Sequence, residues 1–167
     1  MNILFICTHN RCRSILAEAV FRQQANLSNS SLVVRSAGSQ PAGIVHPESL
    51  DALERHKISR EGLNSQSWND FEQWPCHLAV TVCNSAAQEA CPSWLQQGHS
   101  VHWSLQDPSS LPGDRGERQA AFDTLIATLE EAAKHFTKNL QQNGEQAAIR
   151  SLEHFGAVQN QQSSHYA

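Results

Sequence analysis

The chain has 167 residues, 40% of them hydrophobic and 17% charged, with a formal net charge of −4. That suits one domain with a full core and is too little for two ordinary ones. The acidic balance and the lack of a basic stripe argue against nucleic acid as a partner, and no apolar run is long enough for a membrane span.

The opening MNILFIC is too briefly apolar for a signal peptide and has no basic segment before it, so a cytoplasmic location is expected. Residues 2–6 (NILFI) read as a buried strand, and 14–25 as an amphipathic helix. Residues 32–36 read as a second strand, ended by Ala37-Gly38. Residues 46–56 read as a helix with Pro47 in its first turn. A loop then leads to a polar turn around WNDFEQW. Residues 77–83 (HLAVTVC) and 100–103 (SVHW) are the third and fourth strands. A long helix is expected over 116–142, with further helical turns over 145–154. The expected domain spans 1–154; the polar, aperiodic residues 155–167 are expected to form a flexible tail.

Strands alternating with helices across short joins imply an α/β domain: a four-stranded parallel sheet with helices on both faces. Ligands of such folds bind at the carboxyl ends of strands, beside helix N-termini. Cys7 ends the first strand, Cys83 ends the third, and Asp107 follows the fourth. The three are expected along one edge of the sheet.

Cys7, Cys12, Cys76, Cys83 and Cys91 make an odd count, which favours free or reactive thiols over a disulfide framework. Cys7 and Cys12 alone have the spacing of a zinc ligand pair, and no second cysteine pair has it, so no metal site is expected.

The segment CTHNRCRS (7–14) joins the first strand to the first helix. A loop of this length turns successive backbone N–H groups toward one point, and the following helix adds its positive end. Arg13 supplies a planar fork for two oxygens of a tetrahedral anion. Thr8, His9, Asn10, Arg11, Cys12, Arg13 and Ser14 thus form a candidate anion loop around Cys7. Ser14 is placed to hydrogen-bond the Cys7 sulfur, and the positive surroundings are expected to depress its pKa. Asn10 is the residue best suited to a positive φ, and His9 and Arg11 are expected to point outward.

CTHNRCRS, with Ser36-Ala37-Gly38 and Asp107-Pro108, resembles the low-molecular-weight protein tyrosine phosphatase fold over about residues 1–140. Within it the chain looks like the thioredoxin-coupled arsenate reductases. The resemblance implies Cys7 as nucleophile, Arg13 as oxyanion ligand and Asp107 as general acid, although Asp-Pro also fits a plain turn. It further implies Cys83 and Cys91, in VTVCNSAAQEACPSW, as a redox pair, with seven residues between them where the family has six. Arsenate or a phosphate-like oxyanion is then the substrate. Thioredoxin is the reductant, and no cofactor is tightly bound. Some family members bind potassium, and Asn10 and Ser36 match two of their ligands.

The alternative within the same resemblance is a phosphatase acting through a cysteinyl-phosphate. Ser109 and Ser110 stand where such phosphatases carry an aromatic. Tyr166 is the only tyrosine, and Trp68, Trp74 and Trp94 are the remaining candidates for a ring-binding wall. A non-catalytic anion sensor and a metal-binding thiol regulator are the other classes. Cys12 is open as a resolving thiol or as packing, and Cys76 reads as core. Eight positions along an intact helix span about 12 Å. A disulfide needs Cα atoms within about 7 Å. The 84–96 segment must therefore be looped or rearrange if Cys83 and Cys91 are to bond.

Overall fold

The computed structural model describes residues 1–164. Four parallel strands, β1 (Asn2–Cys7), β2 (Val33–Gly38), β3 (Leu78–Thr81) and β4 (His99–His102), form one sheet in the order β2-β1-β3-β4. β1 lies at the centre, with Phe5 opposite Ser36 on one side and Val80 on the other. A strand with partners on both edges and helices over its faces has no polar side, which is why NILFI is apolar at nearly every position.

Helices α1 (Arg13–Leu27), α2 (Pro47–Arg55), α3 (Asn84–Gln88), α4 (Arg115–Asn143) and α5 (Glu145–Ser164) complete the chain. Phe5 points into a chain of ring contacts made by Phe21 of α1, Trp103 after β4, Phe136 of α4 and Phe155 of α5. Leu4 and Ile6 point the opposite way and are equally buried, so both faces of the sheet are covered. No helix among the described residues is long and apolar enough to cross a membrane.

The C-terminal segment expected to form a tail is helical as far as it is described. Helix α5 continues unbroken through residues 155–164. Its polar residues find partners at the exit of β4. Asn160 accepts from the Ser104 N–H at 2.7 Å and donates to the His102 carbonyl at 3.2 Å, and Ser163 donates to the Ser104 carbonyl at 2.7 Å. Gly156 permits the approach, since a Cβ there would stand 2.6 Å from the His102 carbonyl oxygen. Tyr166, the remaining tail residue of interest, lies outside the described residues.

Other boundaries shift by a few residues. β3 stops at Thr81, and Cys83 caps α3 rather than continuing the strand. The helix after Cys83 is only five residues long and ends at Glu89, which is extended with ψ 150°. The stretch between Cys83 and Cys91 is therefore already looped at its far end.

Candidate active site

The loop after β1 is built by its outward carbonyls. Those of Thr8, His9 and Arg11 accept from the backbone N–H groups of Gln40, Ala42 and His46. With the carbonyls turned out, N–H groups turn in: that of Asn10 donates to the Cys7 sulfur at 3.2 Å. Asn10 takes φ 44°, the left-handed turn that the glycine-free loop requires. Gly38, at the end of β2, backs the loop. A Cβ on it would lie 2.6 Å from the Thr8 carbonyl oxygen and 3.0 Å from the Asn10 Cβ.

A buried polar chain runs inward from the sulfur. Ser14 Oγ is 2.9 Å from Cys7 Sγ, and Asn10 Nδ2 donates to Ser14 Oγ and to Ser36 Oγ, each at 2.9 Å. The Asn10 side-chain oxygen accepts from the Gln66 N–H, and Ser36 donates to the Glu18 carboxylate at 2.6 Å. Arg22 lies 3.4 Å from the other Glu18 oxygen, one helical turn on. Glu18 is almost fully buried, and that burial pushes its carboxyl above the usual range despite Ser36 and Arg22. Ser14, Glu18 and Arg22 recur every fourth residue. This polar stripe on a buried helix is a signal present in the sequence, and Gln66 has none.

The same chain includes Asn10 and Ser36, the two residues the resemblance matches to a cation site. The oxygens of Asn10, Ser36 and Glu18 already take protein donors, and Arg22 supplies positive charge beside Glu18. Among the described residues no cluster of three His, Cys, Asp or Glu side chains could hold a metal.

Arg13 opens α1 at the mouth of the loop. It donates to the Leu105 carbonyl at 3.0 Å and lies 3.3 Å from an Asp107 carboxylate oxygen. Its Nε, and that of Arg11, are buried without a hydrogen-bond partner, so each holds a donor in reserve. Asp107 caps the turn Pro108–Ser110, accepting from the N–H and hydroxyl of Ser109 at 3.0 and 2.6 Å. Its turn-forming oxygen and its arginine-facing oxygen are different atoms, so the turn leaves one oxygen at the mouth of the loop.

The Cys7 thiol departs from expectation. Burial pushes it above the ordinary cysteine value, and the Ser14 hydroxyl, the Ser14 N–H and Arg13 only partly offset this. Burial is the largest cause and the neighbouring Cys83 adds to it, while the Arg13 fork is engaged with Asp107 and the Leu105 carbonyl. Cys12 is buried at the N-terminus of α1 and pushed up to about 12, chiefly by that burial, with Asp107 adding to it; it stays a neutral thiol. His9 is exposed, whereas Arg11 is only half exposed.

Cys83 is buried two residues beyond the Thr81–Ile6 pairing of β3 with β1. Its sulfur accepts from the Ala86 N–H at 3.4 Å and lies 3.8 Å from the Thr8 hydroxyl. Cys91 is exposed, and all five cysteines are free. Glu89, which sequence reasoning missed, accepts a 2.9 Å hydrogen bond from Thr8. Of the tryptophans, Trp68 is core, and Trp74 packs edge-on against Phe71.

A cysteine cradled by inward N–H groups and backed by arginine, at the carboxyl edge of a parallel sheet, defines a thiol-dependent oxyanion site. The chain belongs to the low molecular weight phosphotyrosine protein phosphatase family, whose profile matches residues 2–146. It is 31% identical over 136 residues to an arsenate reductase of Bacillus cereus, covering 81% of this chain and 93% of that protein. An arsenate reductase of Halalkalibacterium halodurans is 29% identical over 136 residues, with 81% and 94% covered. The solved structure of an arsenate reductase in the phosphate-binding state shares the fold. Its TM-score is 0.67 at 21% identity, over 83% of this chain and 97% of that one.

Proposed function

We propose that this chain is an arsenate reductase working through a thiol relay of Cys7, Cys83 and Cys91 that thioredoxin resets. One observation carries the reading. A second buried thiol, Cys83, ends the strand beside β1, against Thr8 of the anion loop, and an exposed thiol follows it after a break in the helix. A phosphatase needs Cys7, Arg13 and Asp107 and has no use for the other two. The relatives named arsenate reductase support the same choice.

In this reading arsenate enters the loop against the inward N–H groups and the free Nε of Arg13. The Cys7 thiolate, held by Ser14 and the Asn10 N–H, attacks arsenic, and Asp107 protonates the departing oxygen. Cys83 attacks the Cys7 sulfur. The arsenic–sulfur bond breaks with its electron pair passing to arsenic, so arsenite leaves and a Cys7–Cys83 disulfide remains. Cys91 then attacks Cys83, returning Cys7 as a thiolate, and the dithiol of thioredoxin reduces the Cys83–Cys91 disulfide. The relay suits a reducing compartment, the cytoplasm.

The test is a coupled assay with thioredoxin, thioredoxin reductase and NADPH. Arsenate-dependent NADPH oxidation is expected, with Cys83→Ser and Cys91→Ser inactive in it yet still able to hydrolyse a small aryl phosphate slowly. A Cys83→Ser protein that reduced arsenate with thioredoxin would refute the relay. Aryl phosphate hydrolysis with no arsenate-dependent oxidation would return the chain to the phosphatase branch.

A further inference from the structure

Glu89 is a half-buried carboxylate at the rim of a loop built for anions. Its one hydrogen-bond donor among the described residues is the neutral hydroxyl of Thr8, at 2.9 Å, and it has no ion pair there. Thr8 directly follows Cys7, and its hydroxyl is also 3.8 Å from the Cys83 sulfur. Glu89 is the last residue of the α3 turn, and Cys91 lies two residues on. Between them the chain has little else to hold it. Of α3 only Ala86 is buried, and among the described residues the Cys91 carbonyl is held by the Gln96 side chain alone, at 3.1 Å.

A negative charge so placed works against binding of an oxyanion, so recognition does not explain it. We propose that Glu89 is a positioning residue that ties the far end of α3 to the anion loop until an oxyanion enters and repels it. Release frees the segment from Glu89 to Pro92 to carry Cys91 toward Cys83. The segment is thereby freed at the start of the relay, when the oxyanion enters and before Cys83 attacks Cys7. In the reduced protein with an empty loop Cys91 is kept away from Cys83, and a premature Cys83–Cys91 disulfide is disfavoured.

Coupling of this kind is reciprocal: if an anion weakens the tie, the tie weakens the anion by the same factor. The charge and the hydrogen bond separate in two variants. Glu89→Gln keeps an acceptor for Thr8 and loses the charge. Glu89→Ala loses both.

The inference rests on the relay for its purpose, but its test does not require arsenate reduction. Hydrogen exchange of residues 84–92 is followed in the reduced wild-type protein while inorganic phosphate is titrated to saturation. Exchange there is expected to rise about tenfold with phosphate, the usual size of such a coupling. Glu89→Gln is expected to stay protected at every phosphate concentration and to bind phosphate up to about tenfold more tightly. Glu89→Ala and Thr8→Val are expected to exchange fast without phosphate and to change no further with it. Wild-type exchange that phosphate leaves unchanged or slows would overturn the proposal, as would a Glu89→Gln protein that keeps the wild-type increment. Failure of the coupled assay with these exchange results intact would remove the reductase reading and leave the tie standing.

Discussion

The hydroxyl of Ser14 lies 2.9 Å from the sulfur of Cys7, and it is the group that most strongly opposes the effect of burial on that thiol. A hydrogen bond to a charged partner contributes about 1.5–3 kcal/mol. Its loss falls on the thiolate, because the neutral thiol has less to gain from a donor. In Ser14→Ala the Cys7 pKa should rise further, and alkylation of Cys7 near neutral pH should slow about tenfold or more. The check is the pH–rate profile for iodoacetamide, with Cys7 followed by mass mapping. An unmoved midpoint would mean that the Asn10 N–H, not Ser14, sustains the thiolate.

Gly38 has no room for a methyl group. Its Cβ would meet the Thr8 carbonyl oxygen at 2.6 Å, in the backbone of the loop itself. Gly38→Ala should cost about 1–3 kcal/mol in urea unfolding, as overpacking does. It should weaken phosphate binding as well, since the loop must move to make room. Loss of stability with unchanged phosphate affinity would show that β2 yields instead of the loop.

How much of this was legible in the sequence depended on the reach of each interaction. The anion loop was readable because its parts lie within eight residues: a cysteine, a positive-φ asparagine, an arginine and a serine between a strand and a helix. The raised Cys7 thiol was not expected because it reflects burial under the whole fold and the neighbouring Cys83, 76 residues away. Glu89 was silent for the same reason, its partner Thr8 being 81 residues distant. The polar run after residue 155 looked like a tail because its hydrogen-bond partners, His102 and Ser104, lie some 60 positions earlier. Composition reports the polarity of a side chain and says nothing of who satisfies it.

That last point is testable. Asn160→Ala leaves the Ser104 N–H and the His102 carbonyl without their partner, at an expected cost of about 1–3 kcal/mol. A chain ending at residue 154 also loses the Trp103–Phe155 contact at 4.7 Å and the packing of Gly156. It should melt well below the intact protein, beyond the effect of Asn160→Ala alone. Equal melting temperatures for the truncated and full chains would restore the tail reading.

Glu18 sets a pH dependence. Burial raises its folded-state pKa above that of a free glutamate, so the folded protein holds this proton more tightly than the unfolded chain does. Its contribution to stability is therefore greatest below the unfolded pKa. It declines as pH rises toward the folded pKa and is level above it. Relative to Glu18→Gln, the wild type should lose stability across that window, with a slope of at most about 1.4 kcal/mol per pH unit. Urea unfolding of both proteins over a pH series measures the difference. A gap that widened in favour of the wild type would show that Arg22 holds Glu18 ionised in the fold.

The register of β3 against β1 has a consequence of its own. Strand pairing repeats every second residue, so a slip of β3 by two positions would leave the same side chains facing the core. It would also carry Cys83 about 7 Å along the sheet. The apolar pattern is blind to that error. The Val82 N–H bond to the Ile6 carbonyl, at 2.8 Å, lies one residue before each thiol and ties the two strand ends at a fixed offset. Strand pairing here works as a ruler: the distance between two sulfurs 76 residues apart is measured out by main-chain hydrogen bonds. A chain that has not paired β1 with β3 holds the two sulfurs at no fixed distance, so the geometry on which the proposed exchange between Cys7 and Cys83 relies comes with the finished sheet.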